Sequence, residues 1–328
     1  MDLFGSATVQ PASPSAEWQQ LAERLSPQIR LGTSSWNFPG WAGLVWDREY
    51  PEARLSREGL SAYAAHPLLR TVSLDRALYR PLSVSDYQRY ASQTPDGFRL
   101  MVKAPALVTD AMVRADDGRG MQPNPAFLDC RTAVSACLQP ILEGLGSRLG
   151  VLVLQLSPVG SDWLRAPEAL LDRLGQLLEA LQPLRDRIAG AILAVEVRNP
   201  ELLGPALAGM LKQHHARYCL GLHARMPPIA EQLPMLRALW PGPLVGRWSL
   251  HSKHGRHGYE QAKALYEPFN ALVDPDLQTR AALVKVMQAT AGAGFDVYLT
   301  VNNKAEGSAP LSVIEIARAA VGAAAPSP

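Results

Sequence analysis

The chain has 328 residues, 47% of them apolar, and its 32 Lys and Arg nearly balance 30 Asp and Glu for a formal charge of +2. That composition supplies a large core, and near-neutrality excludes the broad positive field that gathers nucleic acid or an anionic membrane without specificity. The three cysteines, Cys130, Cys137 and Cys219, lack CxxC spacing, which argues against a disulfide framework or zinc knuckle and for small buried side chains.

Residues 1–28 read as a leader with a short amphipathic stretch at 18–25. The leader has no basic region followed by an apolar one, so it is not a secretory signal. No apolar run approaches the roughly 18 residues that a spanning helix needs. A cytoplasmic protein without a membrane partner is the expectation.

A single domain is expected over residues 29–321, ahead of a frayed tail at 322–328. Its first strand is 29–35 (IRLGTSS), followed by a loop with Trp36, Trp41 and Trp46. A helix at 56–65 leads to a strand at 70–74. The next helix, 83–93, opens on Ser83 as N-cap and stops before the turn Pro95-Asp96-Gly97. Strand three is 98–103 (FRLMVK). An irregular stretch, 104–125, precedes a helix at 126–145 and strand four at 150–155. Helices at 167–181 and 202–214 alternate with strands at 191–197 and 217–222. A short helix at 230–239 leads to strand seven, 244–250. A second long loop, 251–275, carries His251, His254 and His257. A helix at 276–291, strand eight at 296–301 and a last helix at 310–320 complete the series.

Strand followed by helix, eight times over, implies parallel pairing. Eight units in a chain of this length favour an α/β fold of TIM-barrel (β/α)8 type, a closed parallel barrel with long βα loops. An open doubly wound sheet is the alternative. No GxGxxG follows the first strand and no GxxxxGK[ST] occurs, so no nucleotide cofactor is expected.

Several segments then fall into a pattern. GTSSW (32–36) with Pro39-Gly40-Trp41, VKAP (102–105), the strand ending in Gln155, EVRNP (196–200) and NNKAEGSAP (302–310) occur in this order along the chain. As a set the chain resembles the domain of unknown function 72 family, also called YecE-like. The resemblance implies a TIM barrel and no established activity. It also exposes departures. The second strand reads TVSLDRALY (71–79), where the family usually has a TVEINSTFY-like run. Tyr79 is kept, Ser73 replaces the usual Glu, and Asp75 the usual Asn. Thr109-Asp110 stands where the family has a histidine after VKAP. The RLHG-like seventh strand appears as GRWSLH, which keeps Arg247 and places His251 later.

Side chains alternate along strands. Inward-facing residues at the carboxyl ends would bring Lys103, Gln155, Glu196, Arg198, Arg247 and Asn302 together at the mouth, with Ser73, Asp75 and His223 near them. Cations gathered there are costly unless an anion meets them. The expected partner is a small phosphate- or carboxylate-bearing ligand. Glu196 is the candidate general acid or base. Glu196 and Asp75 could also form a carboxylate pair. Lys103, Arg198, Arg247, Gln155, His251, Asn302, Asn303, Trp36 and Tyr79 are the candidate binding residues. Backbone N–H groups beside Gly307 and Ser308, before the last helix, add an expected anion site.

Each feature has a plainer reading. Glu196 could simply neutralise the arginines. The tryptophans could be a stacking wall or core anchors. The histidine loop suits a metal, an anion-contacting lid or a solvated turn. Without CxxC, HExxH or a dense carboxylate cluster, no tightly held metal is expected. Two functions remain open: a hydrolase or isomerase of an anionic substrate, or a non-catalytic protein that binds an anion or a nucleic-acid end and has lost the strand-two carboxylate.

Overall fold

A computed structural model describes residues 8–115, 119–255 and 258–322. Eight strands pair in parallel and close on themselves: β1 (Ile29–Thr33), β2 (Thr71–Leu74), β3 (Arg99–Lys103), β6 (Leu149–Gln155), β7 (Ile192–Glu196), β8 (Arg217–Leu222), β9 (Leu244–Trp248) and β10 (Val297–Val301). The missing numbers belong to a separate antiparallel hairpin, β4 (Met112–Arg114) and β5 (Gly120–Pro123). Parallel strands covered by helices on the outside and filled inside are buried on both faces. Accordingly β2, β7, β9 and β10 are buried at every position. The fold is a TIM barrel, and the open-sheet alternative is excluded because β1 pairs with both β2 and β10.

Alternation along the strands decides what fills the barrel. Met101, Val151, Val153, Ile192, Ala194, Cys219, Val245 and Tyr298 form the inner cluster. The next inward positions toward the carboxyl end are Lys103, Gln155, Glu196, Gly221, Arg247 and Thr300. Apolar layers therefore close the barrel below a polar layer at its mouth.

Three expected segments differ in detail. The stretch 104–125 is not irregular: it contains a helical turn, Ala106–Thr109, and the hairpin. Asp116, Asp117 and Gly118 lie outside the described residues. The loop 251–275 contains a helix, Tyr259–Tyr266, and the frayed-tail expectation falls, from 323 on, outside the described residues. The helix expected from 126 begins at Cys130, where the Asp129 carboxylate accepts from the Thr132 N–H, because Leu128 before it takes a positive φ. It then widens into a π turn over Val134–Leu138 before Pro140. Proline has no N–H for the regular ladder, and a wider turn absorbs that loss.

The leader packs against the barrel. Its helix, Ala16–Arg24, is capped by Ser15 and buries Leu21. Arg70, just before β2, donates to the carbonyls of Ala22 and Ser26, and Arg318 of the last helix pairs with Glu17. No helix among the described residues is long and apolar enough to cross a membrane.

Candidate active site at the barrel mouth

Glu196 is the last residue of β7 and points inward. Beside it in register is Gln155, the last residue of β6. On the other side, β8 presents Gly221, where an added Cβ would come within 3.3 Å of Glu196 Oε1. Glycine there leaves room for the carboxylate. Glu196 is fully enclosed. Arg247 donates from Nη1 to Glu196 Oε2 at 2.6 Å and to Gln155 Oε1 at 2.9 Å. Arg198 Nη2 lies 2.6 Å from Glu196 Oε1, an ion contact without hydrogen-bond alignment.

A second carboxylate completes the floor. Asp75 follows β2 and precedes the turn Arg76–Tyr79, but its side chain caps nothing there. It faces inward instead: Ser73 Oγ donates to Oδ1 at 2.6 Å, Lys103 Nζ lies 2.8 Å from Oδ2, and Arg247 Nη2 donates to Oδ2 at 3.4 Å. Three cations thus share two carboxylates. Arg198 Nη1 and Arg247 Nε are buried with no hydrogen-bond partner.

Electrostatics follow from this packing. Burial would raise both acids, yet the cations hold them below the ordinary range, Lys103 and Arg247 for Asp75, and Arg198, Arg247 and Lys103 for Glu196. Arg247 is buried, but Glu196 and Asp75 keep it more firmly protonated than usual. Lys103 goes the other way. Burial and the neighbouring Arg247 push it down to about 8, against the pull of Asp75 and Glu196. His223, which follows β8, is pushed down to about 3 by burial and Arg198, so its imidazole is neutral.

Above the floor opens a cavity of about 1300 Å³. Asp75, Lys103, Gln155, Arg198, Arg247 and Asn302 line its base, and Tyr79 stands on its rim, 83% exposed. Glu196 does not line it. The walls carry residues the sequence reading passed over: Arg225, Lys304, Tyr259, Phe38 and Phe269. The Lys304 ammonium sits 5.1 Å from the centre of the Tyr259 ring and 5.9 Å from that of Phe269. Among the described residues, neither Lys304 nor Arg225 has a carboxylate within 4.0 Å. Lys304 was visible in principle, two residues beyond Asn302 in the motif after the last strand. Tyr259 was not, because only the folding of the second loop brings it over the mouth.

Three of the candidate binding residues lie elsewhere. Trp36 is buried under the rim loop, donating to the Leu55 carbonyl, with its ring edge-on to Tyr90. Trp41 and Trp46 are fully buried anchors as well. Asn303 is buried, and its Oδ1 accepts from Ala309 N at 2.8 Å and Trp41 Nε1 at 3.3 Å. His251 turns away from the cavity. Its Nδ1 accepts from Lys253 N, because the strand alternation that would aim it inward ends with β9 at Trp248. The anion site expected before the last helix is closed. Asn303 takes the Ala309 N–H, Ser308 is buried, and Gly307 at φ 118° packs against the Ala271 carbonyl. His257 of the histidine loop lies outside the described residues. No group of three His, Cys, Asp or Glu side chains among the described residues is arranged to hold a metal ion.

Comparison with known proteins agrees with this architecture. A DUF72 family protein of Thermotoga maritima superposes with a TM-score of 0.54 at 19% identity, covering 89% of this chain and 98% of that one. A DUF72 family protein of Enterococcus faecalis gives a TM-score of 0.54 at 16% identity, covering 90% of this chain and 96% of that one. At such identities the likeness concerns the fold. No curated protein matches the chain in sequence. The family model "Protein of unknown function DUF72" matches residues 30–327, and the chain belongs to that family.

Proposed function

We propose that the mouth binds a small phosphate- or carboxylate-bearing molecule and acts on it as a hydrolase or isomerase. The observation that carries the reading is the excess of cation at the floor of the cavity. Lys103, Arg198 and Arg247 share two carboxylates at the floor, while on the wall Arg225 and Lys304 stand together with Glu49, Glu52, Glu260 and Glu267. A ligand anion would complete this balance. The chemistry is assigned to Asp75 and Lys103, which face the cavity, while neutral His223 lines the same cavity from the β8 side. Glu196, enclosed and ionised, is assigned to positioning the two arginines.

The test is thermal unfolding with phosphate, sulfate and small carboxylates. A ligand at a hundredfold excess over its dissociation constant stabilises by roughly 2.7 kcal/mol. Lys304→Ala should remove much of the gain while leaving the fold intact. No shift at saturating anion would remove the reading. A second reading, a non-catalytic protein for anions or a nucleic-acid phosphate end, is favoured by one feature: both floor carboxylates are already engaged by cations. Turnover of a panel of phosphoesters, glycosides and oxo acids separates the two.

A further inference from the structure

We propose that Lys103 is a covalent catalyst, condensing with the carbonyl of a small aldehyde or ketone that also bears a carboxylate or phosphate. The inference rests on the anion reading above and narrows it.

Four observations converge on this side chain. It ends β3 on the inward face and lines the cavity although its side chain is only 6% exposed. A carboxylate oxygen of Asp75 lies 2.8 Å from its nitrogen, close enough to take a proton. That carboxylate is itself held in place by Ser73. Arg198 borders the same cavity, where it can hold the substrate's anionic end. A buried amine beside another cation is disfavoured as an ammonium, and only the neutral amine is a nucleophile. Lys103, at about 8, meets that condition near neutral pH. Lys304, also on the cavity wall, sits over aromatic rings and has no carboxylate within 4.0 Å among the described residues, whereas Asp75 is 2.8 Å from Lys103.

The step balances without an oxidant or a reductant. Lys103 passes one ammonium proton to Asp75, and its lone pair adds to the carbonyl carbon. The carbonyl π pair moves to oxygen, which takes the proton back from Asp75. A second proton leaves nitrogen by the same route and joins the hydroxyl, which departs as water while the nitrogen lone pair forms the C=N bond. An ammonium and a carbonyl become an iminium and water. The iminium can then accept the electron pair of an adjacent C–H or C–C bond, which places the reaction among carbonyl isomerisations and aldol-type cleavages rather than hydrolyses.

Borohydride trapping tests the proposal. The full chain is incubated with pyruvate, glyoxylate or dihydroxyacetone phosphate, with acetone as the uncharged control. It is then reduced and analysed by intact mass and peptide mapping. The expected result is one reduced adduct per chain on the peptide holding Lys103, several-fold more abundant with an anionic probe than with acetone. Its yield should rise with pH through about 8. The charged groups facing Lys103 are Asp75, Glu196 and Arg247, and the two acids stay ionised over that range. Lys103→Arg keeps the charge and should abolish the adduct. Adducts scattered over other lysines, equal in Lys103→Arg, or no adduct at all, would overturn the assignment. The anion-induced thermal shift is read on the same samples. A shift without an adduct removes the imine and leaves the anion reading standing, whereas loss of both removes both.

Discussion

Glu196 shows what a single buried side chain does in this mouth. It is ionised inside the protein because Arg198 and Arg247 stand against it, and they in turn tolerate burial because it is there. Breaking such a pair by removing one partner costs about 3–5 kcal/mol, because the charge left behind is uncompensated. Glu196→Gln should therefore lower the denaturant midpoint strongly, although it keeps the shape. If Glu196→Gln unfolds like the wild type, the arginines are neutralised by something other than this carboxylate. The same carboxylate makes stability depend on pH. Its folded pKa lies below the ordinary value, so its contribution is complete above about 4.5 and is lost as pH falls through the folded value. Asp75 adds a loss of the same sign.

Among the elements, the leader helix Ala16–Arg24 carries a pH sensitivity of its own. Trp18 on that helix lies 5.2 Å, ring to ring, from His66, which is buried before β2. His66 Nδ1 accepts from the Leu68 N–H, and its Nε2 has no partner. Burial pushes the imidazole down to about 4 from an ordinary 6.5. Between those values the unfolded chain takes a proton that the folded one refuses. Stability therefore falls as pH drops from 6.5 toward 4, by up to about 3 kcal/mol. His66→Phe should flatten the stability profile across that window and leave the steeper carboxylate loss below it. An unchanged slope would mean that His66 is protonated in the native state. The leader's ties to Arg70 and Arg318 place this sensitivity at the amino-terminal end of β2, away from the mouth.

At the scale of the whole molecule, the barrel separates an apolar filling from a charged layer along its axis. Apolar layers from Tyr298 to Met101 and Cys219 fill the interior, and the charged layer begins one inward position later. The three cysteines report on this arrangement. Cys219 lies inside the barrel and Cys137 in the π turn Val134–Leu138, both buried, while Cys130 is partly exposed. Burial raises all three thiols. Thiol labelling under native conditions should modify Cys130 first. Cys137 and Cys219 should react only as fast as the barrel opens globally, with a denaturant dependence matching that of unfolding. Rapid labelling of Cys219 in the absence of denaturant would show that the barrel breathes at its centre.

The eight strands, their parallel order and the end at which the polar layer collects were legible from the chain alone. Period-two alternation and the strand–helix rhythm are local properties, and a run such as FRLMVK carries its own inward face. Lys103, Gln155, Glu196, Arg198 and Arg247 were placed together on that basis; the structure brings the last four within contact distance and joins Lys103 to Arg247 through Asp75. What alternation cannot reach is the chain after a strand ends. There Trp36, His251 and Asn303 turn into core or loop contacts, while Arg225, Tyr259 and Lys304 arrive over the cavity from segments far apart in sequence. Nor can composition say which carboxylate meets which cation. Only the closed barrel, which puts Glu196 behind two arginines and leaves Asp75 open beside Lys103, decides which acid is enclosed among the cations and which faces the cavity.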